Sequence, residues 1–167
     1  MSEINSRENL QFTPILLHRE EIVAQLLQLL PALLADRPVM LAYLHGSVAR
    51  EQTHRESDVD IALVLAKPLG KLDQLYLELD LNVLLEEAGI PRPDVRAINI
   101  APNEAQESII SHGILLFAKS KEAQNQFEAN VKQHALESLD ERNKTRQVLL
   151  VKLKSELATR GLVHARH

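Results

Sequence analysis

Two aspartates separated by one residue open an apolar stretch in the middle of the chain. Asp58 and Asp60 flank Val59, and the apolar run continues to Leu65. Because side chains on a strand alternate between its faces, both carboxylates would point to the same side, about 7 Å apart. With no lysine among their strand neighbours, the two anions repel each other and raise each other's pKa. A divalent cation removes this repulsion, and oxygen ligands suit Mg²⁺ or Mn²⁺. The pattern therefore predicts a metal site.

A third carboxylate, Asp94, opens the third predicted strand, where it could lie beside the pair. Three carboxylates on two neighbouring strands can hold two metal ions about 4 Å apart, which clamp the attacking and leaving oxygens of phosphoryl transfer. We therefore predict that Asp58, Asp60 and Asp94 are the catalytic and metal-binding residues.

The turn that precedes the aspartates indicates a phosphate site. Gly46 follows an apolar strand and has no Cβ, so the backbone can approach a phosphate closely. If a helix begins near Ser47, its free N–H groups and its dipole face the same anion. The Ser47 hydroxyl adds one hydrogen bond, and Arg50, one turn later, could reach a triphosphate. Ser57, directly before the aspartates, either joins this site or bonds only its own turn.

Composition limits the class of protein. The 167 residues are 45% hydrophobic and 25% charged, as in a soluble domain with a core of its own. The absence of cysteine excludes disulfides, thiolate metal sites and a cysteine nucleophile. The longest uncharged stretch near the N-terminus, Ile22–Ala35, is too short to span a bilayer and too far along the chain for a signal peptide. We therefore expect a cytoplasmic protein that does not interact with membranes.

The charge is unevenly distributed. Residues 1–118 hold 17 acidic and 9 basic residues, whereas residues 119–167 hold 6 acidic and 10 basic residues. An acidic body argues against direct nucleic-acid binding, which needs a basic surface, and aromatic residues that could stack on bases make up only 3%. The basic C-terminal part is either a solvated helix face or a surface for an acidic partner.

Hydrophobic periodicity and breakers predict an α/β (α+β) fold with a small mixed sheet, flanking helices and further helices at the C-terminus. A first helix is predicted from about His18 to Leu30, where Pro31 kinks it or starts a short turn that ends near Asp36. Strands are predicted over residues 39–45, 59–65, 94–100 and 113–118. The later helices are predicted over residues 72–88, 103–111, 121–136 and 140–158. In the last of these, Leu149, Leu150, Leu153 and Leu157 form a stripe that either packs on its own domain or meets a partner.

These motifs resemble a known superfamily. Gly46-Ser47, ten residues and then Asp58-Val-Asp60 resemble the Gly-Ser-x10-Asp-x-Asp motif of the DNA polymerase β nucleotidyltransferases. The stretches "GSVAR" and "SDVDIAL" are similar to the minimal nucleotidyltransferases (MNT) of prokaryotes. "PDVRAINIAP" matches the strand of the third carboxylate, and "GILLFAKS" matches the short strand after it, so that the resemblance covers roughly residues 20–135. The family usually has glycine where this chain has Glu51, a carboxylate that could weaken ATP binding or point into solvent.

The resemblance implies a fold, a reaction and a partner. It implies a polymerase β-like nucleotidyltransferase domain over 14–120, which follows a polar segment, residues 1–13, expected to be flexible. A helical extension over 121–167 is expected to pack on the domain or on a partner. Asp58, Asp60 and Asp94 would bind two Mg²⁺ ions, with Mn²⁺ as an alternative, and Gly46, Ser47, Arg50 and Ser57 would bind ATP. An acceptor hydroxyl would attack the α-phosphorus of ATP, and pyrophosphate would leave.

Three functions are compatible with this resemblance. The first is the antitoxin of a HEPN/MNT toxin–antitoxin pair, which transfers AMP to a hydroxyl, expected to be a tyrosine, of the HEPN ribonuclease toxin within a hetero-oligomeric complex. The second is a nucleotidyltransferase that modifies a small molecule of the aminoglycoside type. The third is a non-catalytic antitoxin that only masks its partner. We expect the first, because every metal ligand is present and only about 50 residues follow the sheet.

Overall fold

A four-stranded sheet lies between two pairs of helices. The computed structural model describes residues 19–52 and 57–164, so the predicted flexible segment 1–13 lies outside the described residues. The elements are α1 (Arg19–Leu34), β1 (Val39–Leu44), α2 (Gly46–Ala49), β2 (Val59–Leu65), α3 (Lys71–Glu87), β3 (Pro93–Ala97), α4 (Asn103–His112), β4 (Ile114–Ala118) and α5 (Lys121–His164). None of the helices in this part of the chain combines the length and the apolar character needed to cross a bilayer.

The sheet is mixed, as predicted. Its strand order is β3-β2-β1-β4. β1 pairs antiparallel with both β2 and β4, whereas β2 and β3 run parallel. Every residue of the central strand β2 is buried except Asp60, which is half-buried. The predicted fold class, a small mixed sheet with flanking helices and a helical C-terminus, is therefore confirmed.

The core has two layers, one on each side of the sheet. On one side, α1 and α3 contribute leucines that are each at most 1% exposed, such as Leu26, Leu30, Leu81 and Leu85. On the other side, Ile109 of α4 and Phe127 of α5 pack over Leu41 and Tyr43. Burying one such side chain stabilises the fold by about 1.5–3 kcal/mol. These two layers fix the strands that carry the aspartates.

Helix α3 also covers the edge of the sheet. The side-chain oxygens of Glu78 and Asn82, one turn apart, accept the outward backbone N–H groups of Ala97 (2.9 Å) and Val95 (2.9 Å). An exposed edge strand would present these donors to solvent or to another chain. β3, which carries Asp94, is therefore held on both sides.

The structure decides one predicted boundary and corrects another. Of the two alternatives at Pro31, the helix continues, so that α1 runs through Pro31 to Leu34. β3 ends at Ala97 instead of Ile100, because the chain turns there, with Ala101 N–H donating to the Ile98 carbonyl (3.0 Å). The Asn99 side chain secures this turn by bonding both backbone groups of Leu65 (2.8 and 2.9 Å).

The prediction of two C-terminal helices is wrong, since α5 is one helix of 44 residues. The segment between the two predicted helices, residues 137–139, holds no glycine or proline, so nothing stops the helix there. The first part of α5 packs on the domain, where Val131 and Ala135 are buried and Glu128 accepts a hydrogen bond from the Tyr43 hydroxyl (3.2 Å). Every side chain of residues 139–158 is exposed.

Candidate active site

The parallel pairing of β2 and β3 brings two of the predicted catalytic aspartates together. Asp60 and Asp94 are register partners on adjacent strands, and both are half-buried. Asp58 lies two residues before Asp60 and is exposed. Burial raises the pKa of Asp60 above 3.8, His45 opposes this rise, and the carboxylates of Asp94 and then Asp58 add to it. The charges of both other aspartates therefore act on Asp60.

Two arginines that the sequence analysis did not consider contact the outer carboxylates. The Arg96 Nε–H donates to Asp94 Oδ1 (2.8 Å), and Arg92 Nε lies 3.6 Å from Asp58 Oδ1. Arg92 lies two residues before Asp94, and Arg96 lies two residues after it. Because side chains alternate along a strand, the sequence could have identified Arg96 as a neighbour of Asp94. The acids therefore have basic neighbours.

The donor set fits a hard cation, but the carboxylates do not converge on one point. Carboxylate oxygens are the ligands that Mg²⁺ prefers. Over residues 19–52 and 57–164, however, no group of three or more His, Asp and Glu side chains is arranged so that it could hold a metal ion. Asp58 and Asp94 keep 58% and 42% of their side-chain surface exposed, so both carboxylates have room to rotate away from their arginines.

Gly46 lies directly beneath the carboxylate of Asp60. A Cβ at position 46 would lie 2.0 Å from Asp60 Oδ2. Gly46 also has a left-handed backbone (φ +70°), and the preceding N–H, of His45, donates to the Asp60 carbonyl (3.0 Å). The Gly46–Ser47 turn and the Asp58–Asp60 strand therefore form one compact unit.

The other predicted nucleotide-binding residues are held in different ways. The short helix α2 begins at Gly46, as predicted, and Ser47 is half-buried in its first turn. Arg50 Nη2 donates to the hydroxyl of Ser108 on α4 (3.1 Å). Ser57 is buried, and its carbonyl accepts a hydrogen bond from Arg92 Nη2 (2.7 Å). Ser47 thus lies beside the carboxylate unit, whereas the contacts of Arg50 are made with α4.

Glu51 does not face the aspartates. Its backbone is left-handed (φ +57°), which is the conformation that favours glycine. Its carboxylate forms an ion pair with Arg19 at the start of α1. Of the two alternatives for this carboxylate, the structure shows the one in which it points into solvent, since the Glu51 side chain is 68% exposed, with its charge paired to α1.

His45 is a further residue at the candidate site. It links β1 to α2 and is half-buried. Burial lowers the pKa of His45, and the carboxylates of Asp60 and Asp94 oppose this effect. The imidazole therefore lies close to the two register partners.

The family follows from a sequence comparison. A family model described as "Polymerase beta, Nucleotidyltransferase" matches residues 28–122, more than half of the chain. The chain belongs to this family. The predicted membership of the polymerase β superfamily is confirmed, and the matched range contains the turn and all three aspartates. A comparison with curated protein sequences gives no significant match.

Solved structures of the same fold include toxin–antitoxin complexes. A chain of a toxin–antitoxin with AMP-PNP superimposes with a TM-score of 0.56 at 20% identity, over 80% of this chain and 99% of that chain. A chain of the complex between tri-AMPylated Shewanella oneidensis HEPN toxin and MNT antitoxin gives 0.54 at 17% identity, over 79% and 98%. A chain of the toxin–antitoxin MntA-HepT gives 0.53 at 18% identity, over 78% and 98%. At these identities the likeness shows the fold alone.

Proposed function

We propose that this protein is the antitoxin of a HEPN/MNT pair and transfers AMP from ATP to a hydroxyl of its toxin. The observation that carries the proposal is the unit formed by Gly46, Asp60 and Asp94, in which a glycine turn and two paired carboxylates meet on a nucleotidyltransferase fold. The toxin–antitoxin complexes with AMP-PNP and with an AMPylated toxin each contain a chain of this fold, and that chain is matched over almost its whole length. These complexes support ATP as the nucleotide and a toxin as the acceptor.

Each residue would contribute a defined step. Asp58, Asp60 and Asp94 would hold two Mg²⁺ ions after Asp58 and Asp94 turn away from their arginines. When bound, the ions supply charge neutralisation at the triphosphate and activation of the acceptor hydroxyl. Gly46, which has no side chain, leaves the space that the Asp60 carboxylate occupies, and the hydroxyl of Ser47 beside it would donate to a phosphate.

The proposed reaction is a displacement at the α-phosphorus of ATP. The acceptor oxygen forms a bond to the α-phosphorus, the bond from this phosphorus to the β-phosphate oxygen breaks, and pyrophosphate leaves. The hydroxyl proton passes to Asp94 or to solvent. Arg50 and Ser57 are proposed as nucleotide contacts, which for Arg50 requires release from Ser108.

One observation favours a second candidate, a non-catalytic antitoxin. Arg92 and Arg96 hold the outer carboxylates, and in the described part of the chain the three acids do not converge. A protein that had lost catalysis could keep this arrangement and neutralise its toxin by masking alone. The two candidates differ in whether the carboxylates are needed.

The deciding experiment incubates the protein with its cognate HEPN toxin, ATP and Mg²⁺ and measures the mass of the toxin. We expect an increase of one or more AMP groups with the wild type and none with Asp58→Asn/Asp60→Asn. The matched control Asp140→Asn/Glu141→Gln also removes two carboxylates, but at exposed positions of α5, and is expected to retain activity. If the aspartate variant protects cells from the toxin as well as the wild type does, masking is the function and AMP transfer is not.

A further inference from the structure

Helix α3 presents an uncovered apolar stripe. Its members recur at spacings of three and four residues, on the side opposite Leu81 and Leu85, which are buried in the core. Between 44% and 61% of each is exposed. They are Leu72, Leu75, Tyr76, Leu79 and Val83. Contiguous apolar surface of this kind marks interaction sites.

Helix α5 carries a second stripe beyond the edge of the domain. Its leucines form two groups, one directly after the buried Val131 and Ala135 and one over residues 149–157, and Arg142 and Arg146 lie on the same face between them. Between 45% and 68% of each is exposed. They are Leu136, Leu139, Leu149, Leu150, Leu153 and Leu157. A helix segment without tertiary packing is marginally stable in water, so this segment, residues 139–158, needs a covering surface.

The two stripes have opposite charge at their borders. α3 contains five acidic residues and one lysine; Asp73, Glu86 and Glu87 are exposed beside or at the end of its stripe, whereas the exposed Asp80 is paired with Arg37. On the leucine face of α5 basic residues predominate: Arg142, which pairs with Glu104, Arg146 and Lys154 lie there with one acid, Glu156. Electrostatic complementarity therefore favours contact between the two stripes over contact of either stripe with itself. Pairing α5 with α5 would place cations against cations, and pairing α3 with α3 would place acids against acids.

The two stripes do not contact each other within one molecule, since the residues of both are exposed. α1 and α3 pack on one side of the sheet, whereas α4 and α5 pack on the other. α5 is a single helix that is tied to α4 by the ion pair between Arg142 and Glu104, and it continues without a break from there. The distal part of α5 therefore extends away from its own α3.

We propose that residues 139–158 of α5 dock on the α3 stripe of a second copy of this chain. If each copy contributes its α5 to the other's α3, the two contacts are related by a two-fold axis and the assembly closes as a dimer. This inference is independent of the proposed function, since neither stripe includes a residue of the candidate active site.

The absence of cysteine from the chain allows a direct test. Leu79→Cys on α3 and Leu153→Cys on α5 are prepared as separate full-length proteins, one of them carrying a size tag. After mixing, a short bismaleimide should crosslink the two variants to each other, and each variant alone should give little crosslinked product. Strong crosslinking of Leu153→Cys alone would overturn the proposal in favour of an α5–α5 coiled coil. Strong crosslinking of Leu79→Cys alone would overturn it in favour of α3–α3 pairing.

Charge reversal supplies the second test, read by sedimentation equilibrium. We expect the wild type to be dimeric and the variants Arg146→Glu/Lys154→Glu and Glu86→Lys/Glu87→Lys each to dimerise at least about tenfold more weakly. One chain carrying all four substitutions should regain dimerisation, because the charges are again complementary.

The matched control is Lys144→Glu/Lys152→Glu, which changes the net charge equally but on the opposite side of α5, and it should remain dimeric. A wild type that is monomeric at about 100 µM, far above the dissociation constant of a stable dimer, overturns the proposal and leaves both stripes to a different protein.

Discussion

The carboxylate of Asp60 occupies the space in which any side chain at position 46 would begin. The missing Cβ of Gly46 would lie 2.0 Å from Asp60 Oδ2, a distance that real Cβ atoms do not reach. The backbone of Gly46 is also left-handed, a conformation that costs other residues about 1–2 kcal/mol. Glycine is therefore required here for two separate reasons, the left-handed backbone and the position of the Asp60 carboxylate.

The substitution Gly46→Ala should damage both stability and the site. The new methyl group must displace Asp60, and the backbone must leave its left-handed conformation or bear the strain, so we expect a loss of about 2 kcal/mol or more in the free energy of unfolding. Calorimetric titration should show weaker binding of Mg²⁺–ATP. Gly70→Ala is the matched control, because a Cβ there meets only the side chain of Asp73, at 3.3 Å. Equal effects of the two substitutions would contradict the importance of this contact.

The raised pKa of Asp60 predicts how stability depends on pH. Because the folded protein binds this proton more tightly than the unfolded chain, whose pKa is 3.8, the contribution of Asp60 is present at low pH and is lost as the pH rises through its folded pKa. We therefore compare the free energy of unfolding of the wild type with that of Asp60→Asn. The difference, wild type minus variant, should fall as the pH rises from about 3 to about 7. Urea titrations at several pH values measure this difference. A difference that stays constant over this range would show that the carboxylate is not perturbed.

Glu51 offers a prediction that separates backbone conformation from charge. Glu51→Gly should raise the free energy of unfolding by about 1 kcal/mol, because the left-handed backbone suits glycine. Arg19→Ala removes only the exposed ion pair and should cost about 0.5 kcal/mol or less. Since the Glu51 carboxylate is paired with α1, we expect less than about a twofold change in ATP affinity from either substitution, equivalent to about 0.4 kcal/mol. A large gain in ATP affinity with Glu51→Gly alone would show that the carboxylate repels the triphosphate.

The sequence predicts the fold and the carboxylate unit because both depend on local pattern. A few neighbouring residues are enough to identify each of their parts: the Gly46–Ser47 turn, the alternation of Asp58 and Asp60, and the apolar run of β2. The pairing of Asp94 with Asp60 follows once two strands are predicted to be neighbours. These features need no knowledge of distant contacts.

The features that the sequence did not predict depend on contacts between distant segments. The pairing of Arg50 with Ser108 joins residues 58 positions apart, and that of Glu51 with Arg19 joins residues 32 positions apart. The predicted break in α5 between residues 136 and 140 is wrong for a different reason, because no residue in that segment stops a helix. The exposure of its leucine stripe could not be judged without the position of the domain edge.

A last prediction concerns the strand that carries Asp94. The Oε1 atom of Glu78 accepts hydrogen bonds from Ala97 N–H (2.9 Å) and from Gln74 Nε2 (2.8 Å), and the Glu78 side chain is only 7% exposed. Glu78→Ala leaves the backbone donor of Ala97 without this partner beneath α3, so we expect a loss of about 1–3 kcal/mol in the free energy of unfolding. Glu78→Gln keeps an acceptor oxygen and loses only the long contact with Arg96 (3.7 Å), so it should cost about 1 kcal/mol or less.

Urea unfolding should show these losses as lower midpoints at an unchanged slope, and amide exchange of Ala97 should accelerate in the alanine variant alone. Glu86→Ala, at an exposed position of the same helix, controls for removal of a carboxylate and should change stability by about 0.5 kcal/mol or less. Equal stability of Glu78→Ala and Glu78→Gln would mean that water replaces the carboxylate at the strand edge. In that case α3 would hold β3 by apolar packing alone, and the position of Asp94 beside Asp60 would rest on the β2–β3 pairing without support from the helix.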